Sequence, residues 1–332
     1  MIDATRITNM ASLFQESAIL FAASEMGVFG VLARLGEAPA AAIAEALRLD
    51  PRASTLLLDA CVAIGLLEKR GGTYRNTPES GALLVPGCPG DLSKAILYMR
   101  DVYPTWARVN EFARSGAPVE FPGLHLGDHE GRTRNFVLSM HGKALATAAP
   151  VIAELSLSGR RRLLDVGGGP GTYSVAITRA YPGLRATVLD LPPVIAIASQ
   201  LIAQQGAADR IDTLPGDYHT TPFPTDIDVV LFFGMLHQES AENIRKLLVK
   251  AYESMVPGGL VYVMDMMTDP SHTSPRFSAL FALNMALTTN SGWVFSSAEL
   301  ESWMAGAGFT DFSVKPLPRP IPHWIAAARK PE

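Results

Sequence analysis

Two acids frame a run of glycines in this chain. The segment reads Leu163-Leu-Asp-Val-Gly-Gly-Gly-Pro-Gly171, and a later apolar stretch ends in Asp190, 23 positions beyond Gly167. A short apolar strand carrying Asp165 to its tip, a turn through Gly167 and Gly169, a helix, and a second strand tipped by an acid form the layout of a nucleoside-bearing ligand site. The hydride-transfer fingerprint G-x-G-x-x-G does not fit, because its third glycine would fall at Thr172. Asp165 beside the loop would also repel a pyrophosphate, so a cation suits the site better than a polyanion. An acid at the tip of the second strand can accept both hydroxyls of a ribose. S-adenosylmethionine offers a sulfonium, an ammonium and a ribose diol, and it meets these demands together.

A length of 332 residues suits two domains, with 48% hydrophobic and 18% charged residues. A formal charge of −4 gives no reason to expect nucleic acid or an anionic membrane as partner. Cys61 and Cys88 are the only cysteines, too few for a disulfide framework or a thiolate metal site. No metal is expected, because the His, Asp and Glu residues show no ligand spacing. The N-terminus lacks the basic-then-apolar order of a signal peptide, and Ala18 to Leu35 is interrupted by Ser24, Glu25 and Arg34. The expectation is a cytoplasmic protein.

Residues 1–100 read as a long helix broken near Gly27, a second helix over Ala40–Leu47, a third after the Asp50-Pro51 cap, and a hairpin turning at Gly71-Gly72. That order makes a winged helix. Its would-be recognition helix, Arg52 to Leu66, holds one Arg and one Asp, whereas base reading needs exposed Arg, Lys, Asn or Gln. With 9 Lys/Arg against 10 Asp/Glu, this region is a dimerisation domain in expectation and not a DNA-binding one. Residues 101–155 read as a helical connector lining an acceptor site. From 156 to 332 strands and helices alternate, which gives an α/β fold with a mostly parallel, Rossmann-like sheet and two closing strands at Phe309–Lys315 and Trp324–Arg329.

The chain resembles the class I S-adenosylmethionine-dependent methyltransferases, and more narrowly the plant-type O-methyltransferase family with an N-terminal winged-helix dimerisation domain. The resemblance spans the whole length. It is carried by Leu164-Asp-Val-Gly-Gly-Gly-Pro-Gly171, Val188-Leu-Asp-Leu-Pro-Pro-Val194, Gly216-Asp217, Leu236-His237, Val256-Pro-Gly-Gly259 and Ala305-Gly-Ala-Gly-Phe309. It implies S-adenosylmethionine as cofactor and a homodimer. By the family pattern Gly167 approaches the methionine part, with Asp165, Gly169 and Leu191 around it; Asp190 takes the ribose, and Asp217 and Tyr218 take the adenine. Phe233 stands near the donor, where many relatives place a polar or basic group. His237 would be the catalytic base, flanked by Asp265. Trp106, Met140, Phe281, Met285, Asn290 and Trp293, with Phe295, would line the pocket of a small, flat, apolar and aromatic acceptor.

The sequence departs from that family at several points. The usual continuation after the base is Asp-Trp-Asp/Ser-Asp, but here it is Gln238-Glu-Ser-Ala241. The second flanking acid of the family falls at Val294. A base supported by Asp265 alone suits O-methylation of an acidic hydroxyl, or else N- or C-methylation of a heteroaromatic or pigment. A cofactor-binding regulator without catalysis is the alternative from another class, and a dehydrogenase is the least compatible with the glycine run.

Overall fold

The computed structural model describes residues 4–332, which divide into two compact units at Tyr103/Pro104. The first unit begins with α1 (Ala4–Ser12), α2 (Phe14–Met26) and α3 (Val28–Leu35). The periodic apolar stretch is thus broken at Leu13 as well as at Gly27. β1 (Ala38–Pro39), α4 (Ala40–Leu47), α5 (Pro51–Ala63), β2 (Leu67–Arg70), β3 (Thr73–Asn76) and α6 (Pro78–Leu83) follow. Asp50 caps α5 by accepting from Ala53 N at 2.7 Å, and Pro51 occupies the first turn, where no backbone donor is required. β2 and β3 pair antiparallel around Gly71-Gly72, and β1 adds to the edge of β3. Phe29, Leu32, Ile43, Leu58, Cys61, Leu67 and Tyr74 close one buried core under this wing. Ile7 and Met10 on α1, Leu13 at the break and Phe14 at the start of α2 are exposed.

α7 (Ser93–Trp106) contains the division between the units. The second unit continues with α8 (Val109–Ser115) and the 23-residue α9 (Glu130–Ile152). Of residues 101–155, read from sequence as a helical connector, those from Pro104 onward belong to this second unit, where α9 packs along the helices α10 (Thr172–Ala180) and α11 (Pro192–Gln204). The alternating part comprises β4 (Arg162–Val166), α10 (Thr172–Ala180), β5 (Arg185–Asp190), α11 (Pro192–Gln204), β6 (Ile211–Pro215), β7 (Ile227–Phe233), α12 (Ala241–Ser254) and β8 (Met255–Asp265). It ends with α13 (Arg276–Thr288), α14 (Ser297–Gly306), β9 (Thr310–Pro316) and β10 (Trp324–Arg329).

Seven strands lie in the order β6-β5-β4-β7-β8-β10-β9, parallel through β8, with β10 antiparallel to both its neighbours. Alternation along β8 splits the core. Val261 and Val263 face a cluster shared with α12 and α14, while Tyr262 and Met264 face one shared with α10 and α11. Val256-Pro-Gly-Gly259, whose Pro-Gly-Gly composition reads as a turn, is instead the first segment of β8, with a register shift opposite Ile227/Val229. α13 was not foreseen, because it is apolar on nearly every side and carries no helical period. Among the described residues no single helix is long and apolar enough to cross a membrane, though α1–α2 and α3 pass that test together as a pair bent by 58°.

The glycine run follows β4. Asp165 is buried beneath it, accepts from Ser174 Oγ at 2.7 Å, and leaves its Oδ1 without a partner. A Cβ at Gly168 would lie 2.7 Å from Asp165 Cγ and 2.9 Å from Val188 Cγ1, so only glycine lets the loop settle on that acid. Gly168→Ala is expected to cost about 1–3 kcal/mol through overpacking, read as a lower denaturant midpoint; an unchanged midpoint would contradict this packing.

Candidate active site

The carboxyl ends of β4, β5, β7 and β8 bring the glycine run, Asp190, Phe233, His237 and Asp265 to one end of the sheet, where open α/β folds bind ligands. Gly167 and Gly169 take left-handed backbone angles of +64° and +53°. A Cβ on Gly167 would meet Met235 at 3.1 Å, whereas one on Gly169 would meet nothing within 4 Å. The loop backbone at Gly169 therefore borders open space. Asp190, at the tip of β5, accepts from Gly169 N at 2.8 Å and from Leu191 N at 2.7 Å. One carboxylate thus holds the glycine loop and starts α11 together. Burial pushes Asp190 up to about 6, against the two backbone donors that pull it down. Asp165 is pushed up to about 6 by its own burial, with the Asp190 charge adding to the shift.

His237 lies in a short 3-10 turn after β7 and is 7% exposed, and Asp265 ends β8 fully buried. Asp265 Oδ1 lies 2.6 Å from His237 Nδ1 and accepts from Met266 N at 2.8 Å, while its Oδ2 accepts from His237 N at 3.2 Å. A carboxylate can only accept, so Nδ1 is the protonated nitrogen and Nε2 keeps the lone pair. The Phe281 ring stands edge-on at 4.9 Å from the imidazole and stacks in turn on Phe277. Met285 is buried on the same helix, α13. Trp293 N donates to His237 O at 2.9 Å, and Gly292 lets the chain approach, since a Cβ there would lie 2.9 Å from the same oxygen.

Other foreseen residues lie in more varied surroundings. Asp217 is exposed and accepts from His219 N at 2.8 Å within its own turn. Tyr218 is half-buried and donates its hydroxyl to Glu239 Oε1 at 2.7 Å. Burial and the Glu239 charge hold that phenol far above its ordinary range. Phe233 ends β7 with its ring edge-on to Tyr173 at 5.3 Å. Met140 is half-buried on α9, and Trp106 Nε1 donates to Asn284 Oδ1 at 2.9 Å. Asn290 is exposed and borders a surface cavity of about 400 Å³ with Pro118, Glu120 and Phe121. Phe295, expected on the acceptor wall, is instead fully buried in the core against Trp303, because Thr268 N binds its carbonyl and draws the segment under the sheet. Val294 is buried as well and offers no second acid.

Two residues that sequence reasoning passed over join the site. His323, just before β10, lies within electrostatic reach of Asp265, His237 and Lys143, and burial pushes its imidazole down to about 4. The pairing of Trp324 with Asp265 brings it there, a register that no local pattern announces. Glu239, two residues beyond His237, is buried among polar donors. Its place in the departure from the family motif was its only signal. Among the described residues no group of three or more His, Cys, Asp or Glu side chains could hold a metal ion.

Comparison with known proteins adds to this geometry. An O-methyltransferase domain profile matches residues 120–310, and an O-methyltransferase dimerisation domain profile matches residues 8–86. The chain is similar to a 3-hydroxy-5-methyl-1-naphthoate 3-O-methyltransferase of Streptomyces sahachiroi, 34% identical over 98% of this chain and 95% of the relative. It is also similar to the N,N-dimethyltransferase OxyT of Streptomyces rimosus, 30% identical over 99% of this chain and 97% of the relative. Among solved structures, human N-acetylserotonin methyltransferase in complex with S-adenosylmethionine aligns with a TM-score of 0.89 at 29% identity, covering 100% of this chain and 99% of that one.

Asp265 satisfies two backbone amides and an imidazole where water has little access. Asp265→Ala is therefore expected to lower unfolding free energy by about 3–5 kcal/mol. Urea denaturation checks this, and a loss well under 1 kcal/mol would show that the pair is not the anchor described.

Proposed function

This chain belongs to the O-methyltransferase family, and we propose that it transfers the methyl group of S-adenosylmethionine to a hydroxyl of a small, apolar, aromatic acceptor, with His237 as general base. The observation that carries the reading is the buried His237 Nδ1 to Asp265 Oδ1 contact of 2.6 Å, placed beside the glycine loop. The protein works as a cytoplasmic homodimer assembled through residues 8–86, where the α1–α2 region exposes Met10, Leu13 and Phe14.

The residues present fit the cofactor. Backbone at Gly169 borders open space for the methionine portion, with Gly167 turning the chain beside it, Asp190 retains acceptor capacity for the ribose diol, and Leu191 and Phe233 supply apolar contact. Asp217 would accept from the adenine amine, with the Tyr218 ring beside it. When bound, S-adenosylmethionine supplies an electrophilic methyl on a sulfonium. His237 Nε2 takes the proton from the acceptor hydroxyl, and Asp265 holds the ring and offsets the charge that then forms on the imidazole. His323, kept neutral by burial, adds no competing positive charge to that edge. Phe281, Met285 and Trp293 press a flat acceptor toward the base, and Met140, Trp106 and Asn290 complete the acceptor's surroundings. Transfer to nitrogen is a second reading, favoured by the similarity to an N,N-dimethyltransferase and by Val294 in the place of a flanking acid.

His237→Ala is expected to bind S-adenosylhomocysteine as wild type does while slowing phenol methylation about 10²–10⁴-fold. Full rate in that variant across neutral pH would remove the general base. A variant that still methylates an amine at nearly full rate would select the second reading. The raised position of Asp190 has a sign: below about pH 6 the acid is protonated and loses acceptor capacity, so affinity for S-adenosylhomocysteine should fall as pH drops through that value. Calorimetric titration of Asp190→Asn should show weaker binding with a flatter profile, and equal affinity to wild type would sink the ribose assignment.

A further inference from the structure

Glu239 stands at a junction the reaction does not require. Its side chain is 8% exposed, yet it is an acid, and burying a carboxylate is costly unless its oxygens are filled. They are filled from separate elements. Oε1 accepts from Tyr218 Oη at 2.7 Å and lies 3.0 Å from His219 Nε2, both in the turn after β6, while Oε2 accepts from Asn243 Nδ2 at 2.8 Å in the first turn of α12. Its main chain is equally committed. Glu239 N donates to Leu236 O at 3.0 Å, closing the turn that carries His237, and Glu239 O accepts from Trp293 Nε1 at 3.1 Å. Residue 239 therefore touches the Tyr218 turn, the His237 turn and the Trp293 segment at once.

The cap of α12 does not explain the acid, because Ser240 already accepts from Asn243 N at 3.2 Å. Nor does securing the Tyr218 turn, since Lys250 Nζ already binds the carbonyls of Tyr218 and Thr221 at 2.8 and 2.6 Å. What two carboxylate oxygens add is simultaneous acceptance from Tyr218, His219 and Asn243. An amide presents one acceptor oxygen in place of two, so it cannot accept from all three side chains in this arrangement.

We propose that Glu239 is a positioning residue that couples the donor and acceptor sites, fixing Tyr218 on the adenine side and Trp293 on the acceptor side through one buried, carboxylate-centred knot. The inference rests on the methyltransferase reading above, in that it takes Tyr218 and Trp293 as walls of those two sites. Donor binding that settles Tyr218 is transmitted through the Glu239 carboxylate to its backbone carbonyl, and so to the Trp293 indole.

The test uses the full-length protein labelled with 5-fluorotryptophan, the Trp293 resonance being assigned by its loss in Trp293→Phe. S-adenosylhomocysteine is titrated while fluorine NMR reads Trp293 and calorimetry reads affinity. In wild type the Trp293 resonance is expected to move on saturation. In Glu239→Gln that movement should be mostly lost, with affinity weakened about 5–10-fold, the equivalent of one hydrogen bond. Tyr218→Phe should reproduce the lost movement, and Glu239→Asp should recover part of it. An unchanged Trp293 response in Glu239→Gln, or a wild-type protein that binds the ligand without moving Trp293, would overturn the coupling alone. A wild-type protein that binds no S-adenosylhomocysteine would overturn the methyltransferase reading, and the coupling with it.

Discussion

The 2.6 Å contact between His237 Nδ1 and Asp265 Oδ1 requires two distant segments to end at the same level of the sheet. β7 and β8 lie side by side with Phe233 opposite Met264, and Gly234 N then donates to Met264 O at 2.7 Å. That last rung leaves Asp265 one residue further on, facing the turn in which β7 gives way to His237. β10 closes the other side, pairing Trp324 with Asp265, so the acid is fully buried between strands on both sides. A slip of one residue in either pairing would turn Asp265 to the other face of the sheet. The apolar clusters on the two faces oppose such a slip, because Val261 and Val263 would exchange surroundings with Tyr262 and Met264.

A second constraint acts on the glycine loop. Asp165 and Asp190 are both pushed up to about 6, chiefly by burial, and each is held by different donors. Asp165 supports the glycine loop from below through close contact with Gly168, and Asp190 holds it from the side through Gly169 N. The loop is thereby shaped by the protein's own side chains. Preorganised backbone of this kind spends little ordering free energy on binding.

Much of this was legible in the residues themselves. The glycine run, the acid-tipped strands, the Asp50-Pro51 cap and the Gly71-Gly72 hairpin are local signals, and each maps to a local feature. His237 and Asp265 were legible as strand-end residues, although their contact depends on register. The hidden parts share a cause. α13 is apolar nearly all round, so its periodicity vanishes, and Phe295 gives no sign in the sequence that Thr268 draws it into the core. Glu239 read only as a break in a motif, because its three side-chain partners come from elements up to 21 residues away. His323 lies 58 residues beyond Asp265 in the chain and meets its neighbourhood only through the β8 and β10 pairing.

Asp265 fixes His237 with its proton on Nδ1 and a lone pair on Nε2. Nitrogen-15 NMR of histidine-labelled protein, with His237 assigned by its loss in His237→Ala, reads the two ring nitrogens separately. A protonated, pyrrole-type Nδ1 and a bare, pyridine-type Nε2 are expected in the neutral ring. The reverse assignment, with the proton on Nε2, would contradict this pairing.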